Sequence, residues 1–87
     1  MAVVFIPPLM QGLTGGDDRV LVQGATLRQV VNNLGAIYPG LKERLLDGDD
    51  LSPGIAVSVD GEFTRLGLLQ PVLGDSEVHF LPAISGG

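Results

Sequence analysis

The chain has no cysteine and no tryptophan, and only one histidine and one tyrosine. The missing thiols remove disulfide frameworks, thiolate metal sites, iron–sulfur clusters and cysteine nucleophiles together. His79, the one imidazole, has no second histidine or cysteine with which to build a zinc site or a nucleophile–base pair. Basic residues are scarce: five Lys and Arg stand against ten Asp and Glu, for a net charge of −5. That is the wrong sign for a protein that tracks a phosphate backbone, so no nucleic-acid partner is expected. No apolar run approaches the roughly 20 residues that span a bilayer, and no basic stretch followed by an apolar segment marks a signal peptide. No membrane partner is expected, and the cytoplasm is the expected compartment.

What is present suffices for one small core. The chain has 87 residues, of which 45% are hydrophobic, enough for a single packed domain and too few for two. Val3 to Ile6 is a short apolar run stopped by Pro7-Pro8, which reads as a first strand. Leu9 to Asp18 reads as a loop with Gly15-Gly16-Asp17-Asp18 as its turn, and Arg19 to Gln23 as a second strand paired antiparallel to the first. Thr26 and Gln29 have the spacing of a capping box, in which each side chain satisfies the other residue's free backbone N–H. Leu27, Val30, Val31 and Leu34 then form one apolar stripe at helical period, with Arg28, Gln29, Asn32 and Asn33 facing away. Gly35 weakens the last turns and Pro39-Gly40 ends the helix.

Leu41 to Leu46 adds a further turn or two of helix, and Asp47 to Pro53 reads as a polar loop. Ile55, Val57 and Val59 alternate with Ala56, Ser58 and Asp60 as in a half-buried strand. Asp60-Gly61 signals a hairpin, with Glu62 to Arg65 returning. Leu66 to Leu73 is an apolar connection interrupted by Gly67 and Pro71. Gly74-Asp75-Ser76 is a turn, and Glu77 to Leu81 the final strand. The order strand, strand, helix, strand, strand, strand predicts a two-layer α+β domain. Four to five strands form a mixed sheet, covered on one face by one main helix, with the first and last strands side by side in its centre. This is the β-grasp, or ubiquitin-like, arrangement, expected to occupy residues 1–87 with 82–87 as a flexible C-terminal tail.

Most candidate sites resolve to structure. Asp47, Asp49 and Asp50 lack the ligand spacing of an EF-hand and read as solvated loop charge. Gly12 to Gly16 (GLTGG) lacks the Lys-Ser/Thr of a phosphate loop. Strand parity puts Val78 and Phe80 on one face, and His79 and Leu81 on the other. His79 is then either an ordinary exposed strand histidine or a partner contact. No residue pattern argues for catalysis by the chain itself, and no metal or bound cofactor is expected.

The tail is different. Gly86-Gly87 buries no side chain, and glycine loses the most backbone entropy on being fixed, so the pair has no packing use. It offers a thin, unbranched carboxylate on the apolar tether Pro82-Ala83-Ile84-Ser85. The expected functional group is the α-carboxylate of Gly87.

Gly74-Asp75-Ser76-Glu77-Val78-His79-Phe80-Leu81-Pro82-Ala83-Ile84-Ser85-Gly86-Gly87 resembles the turn, last strand, proline and terminal Gly-Gly of the MoaD/ThiS group of ubiquitin-like sulfur carriers. Within the group, the CysO-type carriers of cysteine biosynthesis are most similar at Ile6-Pro7, Thr14-Gly15-Gly16, Tyr38-Pro39-Gly40 with Glu43-Arg44-Leu45, and Leu81-Pro82-Ala83. Ala83 stands where many molybdopterin-type carriers have a second proline. The resemblance implies a carrier, not an enzyme, that binds no cofactor of its own and is monomeric when free. An E1-like adenylating and sulfurtransferase enzyme would activate Gly87 with ATP and Mg²⁺ and convert it to a thiocarboxylate. A sulfur-accepting synthase of cysteine, molybdopterin or thiamine biosynthesis would then take the sulfur. Gly86 and Gly87 would be the reacting end, with His79, Leu81, Pro82, Ala83, Ile84 and Ser85 docking the carrier. Two other classes remain open: a modifier joined through Gly87 to target lysines, and a non-covalent interaction domain using the open sheet face.

Overall fold

The computed structural model describes residues 1–82. Its centre is a parallel pair: β1 (Ala2–Phe5) lies beside β7 (Glu77–Pro82), with Val4 opposite Val78 and Phe5 opposite His79. On one side β1 pairs antiparallel with β2 (Arg19–Val22). On the other, β7 pairs antiparallel with β5 (Ile55–Val59), which carries the two-residue β6 (Glu62–Phe63) at the far edge. The order β2-β1-β7-β5-β6 is the expected β-grasp sheet with all five strands present.

One helix covers one face of this sheet. In α1 (Leu27–Ile37), Leu27, Val30, Val31 and Leu34 are all fully buried, as the apolar period requires. The Thr26 side chain accepts the Gln29 N–H at 3.3 Å. The other half of the box shifts by one residue, because Gln29 Oε1 accepts from the Ala25 N–H at 2.8 Å. A cross-link explains the shift. The Val72 N–H donates to the Ala25 carbonyl and the Leu27 N–H to the Gln70 carbonyl, both at 2.9 Å, so residues 25–27 are held extended against 70–72. A short second helix, α2 (Leu41–Leu45), folds back beneath α1 and buries Leu41 and Leu45. Gly35 is the hinge of that approach: a Cβ there would lie 2.7 Å from Lys42 Cβ. Its absence lets the two helices close.

Four segments differ from expectation. Pro8–Thr14 is a 3-10 helix rather than open loop, with Pro8 in its first turn and left-handed Gly15 ending it. Buried Thr14 donates its hydroxyl to the Asp17 carbonyl at 2.7 Å. The polar stretch after α2 contains a two-residue hairpin, β3 (Leu46–Asp47) with β4 (Asp50–Leu51), closed through left-handed Gly48. The strand after Asp60-Gly61 is only Glu62–Phe63, because Thr64 and Gln70 join side chains at 2.8 Å and turn the chain away. The last strand runs one residue past Leu81, to Pro82 opposite Ile55. A proline fits there because the Pro82 nitrogen faces the β1 side, where β1 pairs with β7 no further than His79, so no ladder bond is lost.

The turn at Asp60-Gly61 has positive φ at both residues, 53° and 88°, the backbone that matches strand twist in a two-residue hairpin. Asp60 also reaches across to the start of β7. Its carboxylate accepts from Ser76 Oγ at 2.7 Å and from the Glu77 N–H at 2.9 Å. The β5–β6 turn thereby fixes where the last strand begins.

Candidate functional site

Alternation along β7 sorts its side chains. Val78 and Phe80 are 0% and 1% exposed against the helix, and His79 and Leu81 point to the open face. Because β7 is a central strand, its outward residues are joined by register to every other strand. Arg19 sits opposite Phe5, Phe5 opposite His79, His79 opposite Ser58, and Ser58 opposite Phe63. These five side chains form one row across the open face.

The row is tightly organised at its centre. The Phe5 and His79 rings stack 4.1 Å apart between centroids and only 3° from parallel. The Arg19 guanidinium carbon lies 5.4 Å from the Phe5 centroid, a cation–π arrangement. His79 Nε2 stands 3.6 Å from a Glu77 carboxylate oxygen two residues earlier on the same face. Ser58 is buried despite its outward parity, since rings flank it on both sides. Leu81, 38% exposed, continues the face toward the end of β7 beside half-buried Ala56.

Chemically this face has apolar and aromatic area, one guanidinium, one imidazole and one carboxylate, and no activated nucleophile. Such groups contact other molecules by stacking, apolar burial and charge pairing. Among the described residues no group of three His, Asp or Glu side chains is placed to hold a metal ion. Asp47 and Asp50 face each other across the β3–β4 ladder on exposed backbone, which suits solvated charge. No helix is long and apolar enough to cross a membrane among the described residues.

Of the residues singled out in the sequence, His79, Leu81 and Pro82 are brought together on the open face and at its exit. Ala83, Ile84, Ser85, Gly86 and Gly87 lie outside the described residues. Phe5, Arg19, Ser58 and Phe63 also belong to this face and were not singled out. Parity could have found Phe5, since it alternates with core-facing Val4 and Ile6 in the strand expected beside β7.

Comparison with known proteins agrees with this geometry. The ThiS family model matches residues 3–87, which includes Gly86-Gly87. The sulfur carrier protein CysO of Mycobacterium tuberculosis is 36% identical, over 97% of this chain and 96% of its own length. Among solved structures, the BexX/CysO complex of Amycolatopsis orientalis contains a chain that superposes with a TM-score of 0.92 at 31% identity, with full coverage of both chains. The crystal structure of M. tuberculosis CysO, described as an antigen, gives 0.90 at 32% identity, covering 97% of this chain and all of that one. A sheet with its first and last strands parallel at the centre and a family match along nearly the whole chain place this protein in the ThiS family of ubiquitin-like β-grasp proteins.

Proposed function

We propose that this chain is a sulfur carrier whose reacting group is the α-carboxylate of Gly87. The observation that carries the reading is the relationship to the CysO sulfur carriers, which extends over 97% of the chain, joined to a family match running through Gly87. The carrier serves as a protein co-substrate, with the catalysis in its partners.

The chemistry follows from the carboxylate. Its carbon is a poor electrophile until one oxygen becomes a leaving group. An E1-like adenylating enzyme using ATP and Mg²⁺ supplies this: a Gly87 oxygen attacks the α-phosphorus, pyrophosphate departs, and an acyl-adenylate forms. Sulfide or a persulfide sulfur then attacks the carbonyl carbon and expels AMP. Where a persulfide is the donor, a thiol reduces the resulting acyl disulfide. The product is a thiocarboxylate, which a sulfur-accepting synthase consumes. Cysteine biosynthesis is the favoured destination, because the CysO relatives match along almost their full length.

This chain's part is recognition and access. The open face presents Phe5, His79 and Leu81 for docking, and β7 delivers Pro82 at its edge. From there Ala83, Ile84 and Ser85 form a tether with main-chain bonding capacity along a groove. Gly86 can adopt backbone conformations closed to other residues in a narrow channel. Gly87 leaves the reacting carbon unshielded, where near-attack geometry tolerates little crowding.

The test is intact-mass spectrometry after incubation with the cognate adenylating enzyme, ATP, Mg²⁺ and a sulfide donor. The expected product gains the mass difference of one sulfur for one oxygen, localised to Gly87 by fragmentation. An unchanged mass with an enzyme shown to be active on another carrier overturns the proposal.

A further inference from the structure

The far edge of the sheet carries a second surface that the chemistry at Gly87 does not use. The Thr64 N–H donates inward to the Val57 carbonyl at 2.9 Å. Strand alternation therefore turns the N–H and carbonyl of the preceding Phe63 outward, away from β5. No strand lies beyond β6, and these two groups have no backbone partner among the described residues.

The chain then bends away. Thr64 Oγ1 accepts the Leu66 N–H at 3.1 Å and donates to Gln70 Oε1 at 2.8 Å. The bend leaves a cleft of about 690 Å³ beside the edge, bordered by Glu62, Phe63, Thr64, Arg65, Leu66 and Gln70. Phe63 and Leu66 are 64% and 58% exposed. Arg65 is the one Lys or Arg after Arg44, and it makes no ion pair among the described residues.

An open backbone edge, two apolar anchors and one unpaired guanidinium are the parts of a strand-addition site. The charge layout also gives it polarity. Glu62 repels a carboxylate at the start of the groove, and Arg65 attracts one at its end. The opposite edge differs in charge: just past β2, Asn33 Nδ2 donates to the Gln23 carbonyl at 2.7 Å, and the Arg19 guanidinium is already engaged over Phe5, so β2 has no free guanidinium beside its edge.

We propose that the β6 edge binds an extended, acidic segment of a partner polypeptide, which adds to the sheet as a sixth strand and sets a carboxylate against Arg65. Phe63 also belongs to the open-face row, so the groove and the docking face are continuous. A partner seated on the face can place such an arm without moving. The site requires neither adenylation nor the thiocarboxylate, and its test is independent of both.

The experiment is amide NMR of the ¹⁵N-labelled full chain. The titrants are the capped peptide acetyl-Thr-Val-Thr-Val-Asp-Val-amide and the same peptide with Asn in place of Asp. Shifts are expected at Glu62 to Leu66 and along β5. Binding of the acidic peptide should weaken about three-fold on Arg65→Gln, and the Asn peptide should bind the wild type about as weakly, the size of an exposed charge pair. Shifts centred on β2, no saturable shifts, or an affinity indifferent to both changes would overturn the proposal.

Discussion

Asp60 joins three backbone features through one short side chain. It sits at left-handed φ, opens the β5–β6 turn, and accepts hydrogen bonds from Ser76 and Glu77. The Glu77 N–H first, and the Ser76 hydroxyl second, favour the charged carboxylate and hold its pKa below the ordinary value of 3.8. A carboxyl with a depressed folded pKa contributes stability above its unfolded pKa, and that contribution fades as pH falls through the folded value. Asp60→Asn keeps the turn and removes the titration. Its melting temperature should therefore fall less than that of the wild type between about pH 5 and pH 2, since only the wild type loses this linkage. Equal losses in the two proteins would show that the Asp60 bonds do not depend on charge.

Gly24 makes a different residue-scale argument. A Cβ there would meet the Val30 backbone nitrogen and Val30 Cγ2, each at 2.8 Å, and a helix backbone cannot retreat. Gly24→Ala should cost about 1–3 kcal/mol by urea denaturation, the range of an overpacked site. The aspartates at 47, 49 and 50 were legible as surface charge, whereas the hairpin they decorate was not. Two-residue strands carry no period, and the polar residues hid the pairing of Leu46 with Leu51.

Among elements, β7 is the one on which sheet and site both depend. It pairs on both sides and inserts Val78 and Phe80 into the core. Phe80→Ala should destabilise the domain by about 3–5 kcal/mol in equilibrium unfolding, as for large core truncations. A loss below 1 kcal/mol would mean that the core collapses onto the gap. The alternation of β7 and the period of α1 were plain in the sequence, because each has enough residues to show its repeat. The 3-10 helix at Pro8–Thr14 was not, since proline and glycine in the same ten residues signal a loop equally well. The Arg19–Phe5–His79 stack was hidden for another reason. It joins three strands, and its members meet only when the antiparallel register of β1 with β2 and the parallel register of β1 with β7 are both set.

For the molecule as a whole, the make-up of the core bears on terminal mutation. Among the described residues the buried hydrophobic cluster runs from Ala2 to Phe80, and a glycine has no side chain to add to it. Gly87→Ala is therefore expected to leave the melting temperature unchanged while sharply slowing thiocarboxylate formation, because the added methyl crowds the attacked carbon. A clear drop in melting temperature would mean that the tail contributes to folding, and an unchanged rate would remove the need for glycine at the reacting end. The strand order and helix stripe were enough to expect the β-grasp arrangement that the sheet shows, whereas the end proposed to react, Gly86-Gly87, lies outside the described residues. Which surfaces accompany that end became visible only with the sheet assembled.

The mid-sheet location of β7 also governs how the molecule responds to traction. A partner that hauls on residues beyond Pro82 loads β7 along its own axis, with β1 bonded on one flank and β5 on the other. Both ladders are then sheared together instead of being opened rung by rung from a border. On the proposed carrier reading, that arrangement would hold the sheet together while the residues beyond Pro82 are drawn into a partner.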